Sequence, residues 1–141
     1  PPVRPRLGTI VAPAPFRQAG APPGVYRTRV VAPDGVTTVA QTKPFRVDAF
    51  RVTLSDMTPA RGQRITATIV STERLRANPR LTYTQPGRAP VVLSTIRTST
   101  YGYRVTFRLV TRGSVGTLAI RVTGYDVGRG YNSTRLNFAM Q

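Results

Sequence analysis

Apolar and polar residues alternate with a period of two along most of this 141-residue chain. That period puts every second side chain on one face of extended backbone, so it predicts half-buried β-strands. Seven such runs follow one another from residue 50. Phe50–Leu54 places Phe50, Val52 and Leu54 on one face, and residues 64–70 do the same with Ile65, Ala67 and Ile69. Arg80–Thr84 contributes Leu81 and Tyr83, while residues 90–97 are apolar but ambiguous in phase. Residues 101–110 offer Tyr103, Val105, Phe107 and Leu109; residues 115–125 offer Leu118, Ile120 and Val122; residues 133–140 offer Leu136, Phe138 and Met140. Turn-forming stretches such as Thr58-Pro59-Ala60-Arg61-Gly62 and Pro86-Gly87 separate the runs. Short strands spaced this closely predict an all-β chain with an antiparallel β-sandwich over residues 50–141. No segment carries a 3.6-residue period.

The pattern before residue 50 is different. Residues 1–23 are rich in Pro, Ala and Gly, and Pro13 and Pro15 favour an extended N-terminal arm over a helix. Within it only residues 6–12 read as a strand, with Leu7, Thr9 and Val11 on one face and Ile10 and Ala12 on the other. In residues 24–49, Tyr26, Thr28 and Val30 alternate with Arg27 and Arg29, and Pro33-Asp34-Gly35 makes a turn. Residues 36–41 return as the partner strand, and Phe45 with Val47 begins a further one. Three strands do not close a sandwich. Their unpaired backbone groups and half-covered apolar face require a partner. Phe45 and Val47 set an odd phase, whereas Phe50, Val52 and Leu54 set an even one. A one-residue slip turns every side chain to the opposite face. The slip marks a domain junction with almost no linker. The expected division is therefore an extended arm (1–23), an incomplete module (24–49) and a complete sandwich (50–141).

Composition narrows the chemistry. The chain has no His and no Cys. The usual base of a Ser nucleophile is therefore missing, and zinc, haem and blue-copper ligand sets are disfavoured. The five acids, Asp34, Asp48, Asp56, Glu73 and Asp126, lie scattered through turns and junctions, without the oxygen-rich loop that calcium needs. No enzyme activity, cofactor or metal is expected. The net charge of +16 rests on 21 cationic side chains, of which only Lys43 is a lysine. Such a balance attracts polyanions. Arg51, Arg64, Arg104, Arg108, Arg121 and Arg135 each flank inward apolar neighbours, so they form a candidate polyanion face. The same arrangement also simply keeps strand exteriors wet. Tyr103 and Phe107 point the opposite way, which removes an aromatic platform and disfavours nucleic acid. Asn132-Ser133-Thr134 is a candidate glycosylation sequon, expected in a surface loop. No apolar run reaches the ~20 residues of a membrane-spanning helix. A start at Pro1-Pro2 without Met is expected of a processed or excised chain.

Gly24, Tyr26, Val30, Ala32, Asp34, Gly35, Phe45, Val47 and Asp48 fit the pattern G-x-Y-x-x-x-V-x-A-x-D-G followed by F-x-V-D. In this the segment resembles the last strands of bacterial Ig-like modules, including the Ig-like domain of the flagellar hook-capping protein. Pro59, Gly62, Gln63, Ile65, Thr66 and Thr68 are similar to the opening of secreted bacterial Ig-like repeats. The resemblance covers most of residues 24–141 and implies an Ig-like or fibronectin-III-like sandwich in an extracellular or cell-surface setting. It implies scaffolding, adhesion or filament formation. The first module departs from the pattern by lacking the opening strands.

The leading expectation is a homopolymer, a structural subunit of an extracellular filament or surface appendage that assembles head to tail by strand donation. Leu7, Thr9, Ile10, Val11 and Ala12 would belong to the donor strand, and Tyr26, Val30, Phe45 and Val47 to the acceptor face. The alternative is a polyanion-binding module, with acidic glycans as partners, from the C-terminal end of a larger secreted enzyme or adhesin.

Overall fold

The computed structural model describes residues 23–27, 29–41, 43 and 45–141, and the side chains of Tyr26, Phe45 and Arg46 are not described. The residues proposed as donor strand, Leu7, Thr9, Ile10, Val11 and Ala12, lie outside the described residues. Every regular element described is a β-strand.

Strands β1 (Gly24–Tyr26), β2 (Arg29–Val31), β3 (Thr38–Gln41) and β4 (Phe45–Val47) come first. β2 and β3 form a hairpin, with Val30 opposite Ala40. Its turn is built as read from Pro33-Asp34-Gly35. Gly35 takes a φ of 75°, and Asp34 Oδ1 accepts hydrogen bonds from the amides of Val36 (2.8 Å) and Thr37 (2.9 Å). These bonds, led by the one from the Thr37 hydroxyl, hold the Asp34 carboxyl below the ordinary aspartate range. β4 does not lie beside the hairpin as an additional strand. It pairs back onto β1, with Tyr26 opposite Phe45 and Gly24 opposite Val47. The two ladders are one residue out of register, Arg29 lying three residues after Tyr26 and its partner Gln41 four before Phe45. The described residues of this segment, called the ribbon below, thus form two short antiparallel ladders, β1–β4 and β2–β3.

The sandwich strands are β5 (Phe50–Leu54), β6 (Arg64–Ser71), β7 (Arg80–Thr84), β8 (Val91–Ser94), β9 (Ile96–Arg97), β10 (Gly102–Arg108), β11 (Thr117–Tyr125) and β12 (Tyr131–Ala139). They form two antiparallel four-stranded sheets, ordered β5-β6-β10-β9 and β12-β11-β7-β8. Both sheets bury their apolar faces in one core, an arrangement consistent with a β-sandwich. Ile65, Ala67, Ile69, Tyr103, Val105 and Phe107 meet Leu81, Tyr83, Leu118, Ile120, Val122 and Phe138 there. The rings of Tyr83 and Phe107 stack across the two sheets, centroids 4.4 Å apart and 17° from parallel.

The ambiguous run at 90–97 is explained by a change of sheet. β8 pairs with β7, whereas β9 pairs with β10. The bend falls at Thr95, a buried polar residue whose Oγ1 donates to the Pro79 carbonyl at 2.7 Å. Its own carbonyl accepts from Asn78 Nδ2 at 2.9 Å. A strand that serves two sheets has no single inward face, so its sequence shows no single phase.

The Pro59–Gly62–Gln63 positions serve the turn between β5 and β6. Gly62 adopts a φ of 76°, and a Cβ there would sit 3.2 Å from Thr111 Cγ2. Gln63 Oε1 accepts from the Ala60 amide at 2.7 Å, and its Nε2 donates to Asp56 at 3.0 Å. That bond is the main reason the Asp56 carboxyl sits below its usual range.

The phase slip is visible in burial. Ala49 and Phe50 are consecutive and both buried, as is Val47 before them. The chain is held on both sides of the slip. Thr72 N and Oγ1 donate to the Ala49 carbonyl (3.0 and 3.1 Å), and the Phe50 amide donates to Thr134 Oγ1 at 3.1 Å.

Candidate functional site

Two surfaces stand out, an exposed aliphatic ribbon and the outward arginines. The first is the ribbon of residues 24–47. Val25 is 71% exposed and Val36 79%, and Val30, Val31 and Val39 are also exposed. These are strand-forming aliphatic side chains left in water. The proposed acceptor positions divide: Val30 is exposed, Val47 is buried, and Tyr26 and Phe45 are described only through their backbone pairing. Val47 is therefore not an open acceptor position. Its burial comes from the turn into the sandwich, where Gly24, Val25 and Val47 border the start of β12 at Tyr131, Asn132 and Ser133.

The second surface concerns the arginines. Arg51, Arg64, Arg104 and Arg108 project from the outer face of β5-β6-β10-β9, and Arg121 and Arg135 lie on the other sheet. The six do not make one flat face, because the two sheets turn their outer faces in opposite directions. Within each set, cations face each other directly: Arg64 opposite Arg108, and Arg121 opposite Arg135. Like charges in such pairs weaken a sheet. Other arginines tie loops instead. Arg61 donates to the Gly113 carbonyl (2.8 Å), and Arg88 to the Arg112 carbonyl (2.8 Å).

Tyr103 and Phe107 are buried, as the alternation requires. Aromatic company for the arginines comes from elsewhere. Arg121 Nη2 donates to Tyr131 Oη at 2.9 Å, and the rings of Tyr125 and Tyr131 meet edge to face at 5.4 Å. Tyr125 and Tyr131 are each the last or first residue of a strand, a cross-strand pair beside a hairpin turn. The turn between them spans Asp126–Gly130, where Arg129 N donates to the Asp126 carbonyl.

The same turn brings together two acids that read as scattered. Glu73 and Asp126, 53 positions apart in sequence, are brought together because Leu75 bridges Asp126 and Val127 N donates to the Arg74 carbonyl. Burial, then the neighbouring Asp126, raises the Glu73 carboxyl above its usual range. Asp126 is lowered, chiefly by the Gly130 amide. Among the described residues no group of three or more potential metal-ligating side chains converges.

Asn132 lies within β12, opposite Gly124, and not in a loop. Its side chain is half-buried, and Nδ2 donates to Glu73 at 3.4 Å. Among the described residues no helix is long and apolar enough to cross a membrane.

No protein-family model matches the chain, and a search of curated proteins finds no match.

Proposed function

We propose that this chain is a structural subunit of an extracellular filament or surface appendage, assembled by strand addition onto the ribbon of residues 24–47. The observation that carries this reading is the ribbon itself. A two-stranded hairpin is at best marginally stable in water, and three or more strands with a covered apolar face are needed for independence. Here the ribbon exposes Val25, Val30, Val31 and Val39 on its strands and Val36 in its turn. An added strand would supply backbone partners to an edge and cover those side chains, a recognised mode of β-augmentation. Apolar burial adds about 25 cal/mol per Å² to the main-chain bonds. Residues 6–12 are the proposed donor, and a donor and acceptor on different surfaces of each subunit generate an open, head-to-tail polymer.

The strand order supports an Ig-like architecture for residues 50–141. The sheet β5-β6-β10-β9 corresponds to the ABED sheet of such sandwiches, and β7, β11 and β12 correspond to C, F and G, with β8 as an added edge.

Removing residues 1–13 is expected to abolish assembly while leaving residues 50–141 folded, as read by sedimentation and negative-stain microscopy. Fibres formed by the truncated chain would overturn donation by this segment.

A further inference from the structure

We propose that the outer face of the β12-β11-β7-β8 sheet binds an acidic polysaccharide, a carboxylated or sulfated glycan. The register lays four rows across this face. Tyr131 stands opposite Tyr125; Ser133 opposite Thr123, which faces Arg80; Arg135 opposite Arg121, which faces Thr82; and Asn137 opposite Ala119, which faces Thr84. Rows on one face are two residues apart, about 6.8 Å, so the four rows extend over roughly 20 Å. Two shallow, open depressions lie along them. One, of about 340 Å³, is lined by Arg76, Arg80, Thr123, Tyr125 and Tyr131 among others. The other, of about 430 Å³, is lined by Thr82, Thr84, Arg121, Arg135 and Asn137 among others. Arg121 and Tyr131, joined at 2.9 Å, form the ridge between them.

Charge and geometry both favour an anionic ligand here. Arg121 and Arg135 face each other with no acid between them in the ladder, a repulsion that a bound anion removes. Arg121 is held in place by a bond from Nη2 to Tyr131; its Nε is buried without a partner, so a surface anion would meet the Nη groups. The nearby acids cluster at the turn end of the face, where Glu73 accepts from Asn132 and Asp126 from the Gly130 amide.

The groups between the cations select the class of polyanion. Thr82, Thr84, Thr123, Ser133 and Asn137 offer hydroxyl and amide partners suited to sugar hydroxyls. The two tyrosine rings are exposed but inclined at 61° to each other. A single ring can pack on the C–H face of one sugar. Two rings at that inclination do not form the parallel platform on which successive bases stack. The aromatic pair therefore favours a glycan over a single-stranded nucleic acid. The face adjoins the ribbon at Tyr131 and Ser133, whereas the rows of Arg121 and Asn137 lie farther along β12.

The test is a titration of the dilute full chain with a heparin oligosaccharide and, separately, with an oligothymidylate of matched charge, followed by calorimetry and tyrosine chemical shifts. Heparin is expected to bind more tightly than the oligonucleotide and to shift Tyr125 and Tyr131. The double variant Arg80→Ala/Arg135→Ala should weaken heparin binding roughly tenfold or more, since it removes two charge-assisted contacts. The variant Arg64→Ala/Arg108→Ala removes the same charge from the opposite sheet and should change binding less than about twofold. All four side chains are exposed, so both variants should keep the parent melting temperature. Equal losses in the two variants would reduce the effect to net charge and overturn the proposal. Tighter binding of the oligonucleotide, or no heparin binding at all, would overturn it as well.

Discussion

Truncating Leu118 to alanine is expected to bring the sandwich close to unfolding. Leu118 is fully buried, opposite Phe138 in the β11–β12 ladder, and belongs to the core shared by both sheets. Removing a buried leucine costs about 2–5 kcal/mol, because the transfer energy of the lost methyl groups is joined by the cavity left behind. A domain's whole stability is about 5–15 kcal/mol. For a unit of this size each kcal/mol lowers the melting temperature by about 4–8 °C, so the fall should reach roughly 10–30 °C. The matched control is Thr53→Ala on an exposed position of β5, expected within about 0.5 kcal/mol of the parent. Thermal denaturation of both variants checks the pair. A loss at Leu118 no larger than at Thr53 would mean that the two sheets do not enclose a common core.

The second large effect is expected at Thr134. Its hydroxyl accepts the amide of Phe50, a residue only 1% exposed, and so ties β12 to the first residue of β5. Thr134→Val keeps the shape and removes the acceptor. The stranded amide should cost about 1–3 kcal/mol, which is the desolvation penalty of a buried donor left alone. Thr134→Ser keeps the acceptor and loses one methyl group, so it should cost about 0.8 kcal/mol. Chemical denaturation separates the two variants, and hydrogen exchange at Phe50 should accelerate in the valine variant alone. Equal stability of the valine variant and the parent would show that the bond contributes nothing. The position matters beyond stability. Phe50 follows Ala49, so this bond and the two from Thr72 to the Ala49 carbonyl set where the ribbon leaves the sandwich.

Much of this fold was legible along the chain, for a physical reason. Strands buried on one face must alternate, and Ile65, Ala67 and Ile69, or Leu118, Ile120 and Val122, declare their inward side without knowledge of their partners. The slip at Ala49-Phe50 was legible in the same way, since two consecutive buried residues require a change of face. What alternation does not encode is which strands pair. The change of sheet at Thr95 depends on the Pro79 carbonyl and Asn78, residues of a distant loop. The return of Phe45–Val47 onto Gly24–Tyr26 depends on register, and the sequence pattern fits an added strand equally well. The candidate sites suffered more. Six outward arginines have one pattern and two opposite directions, and only sheet membership divides them. Glu73 and Asp126 meet through a loop bridge, and Tyr125 meets Tyr131 across a turn, contacts that no local period records. The Asn132 sequon likewise gave no sign that its amide would face Glu73.

The central claim is that the ribbon of residues 24–47 is an unfinished sheet, completed by a strand from another copy. Amide hydrogen exchange of the full chain, compared between dilute and concentrated solution, tests it most directly. The amides of Arg29–Val31 and Thr38–Gln41 that point away from the β2–β3 ladder should exchange freely in dilute solution. They should become protected as concentration rises, while the core amides of β6 and β11 stay protected throughout. Ribbon amides as slow as the core at every concentration, in a chain that remains monomeric, would contradict the account.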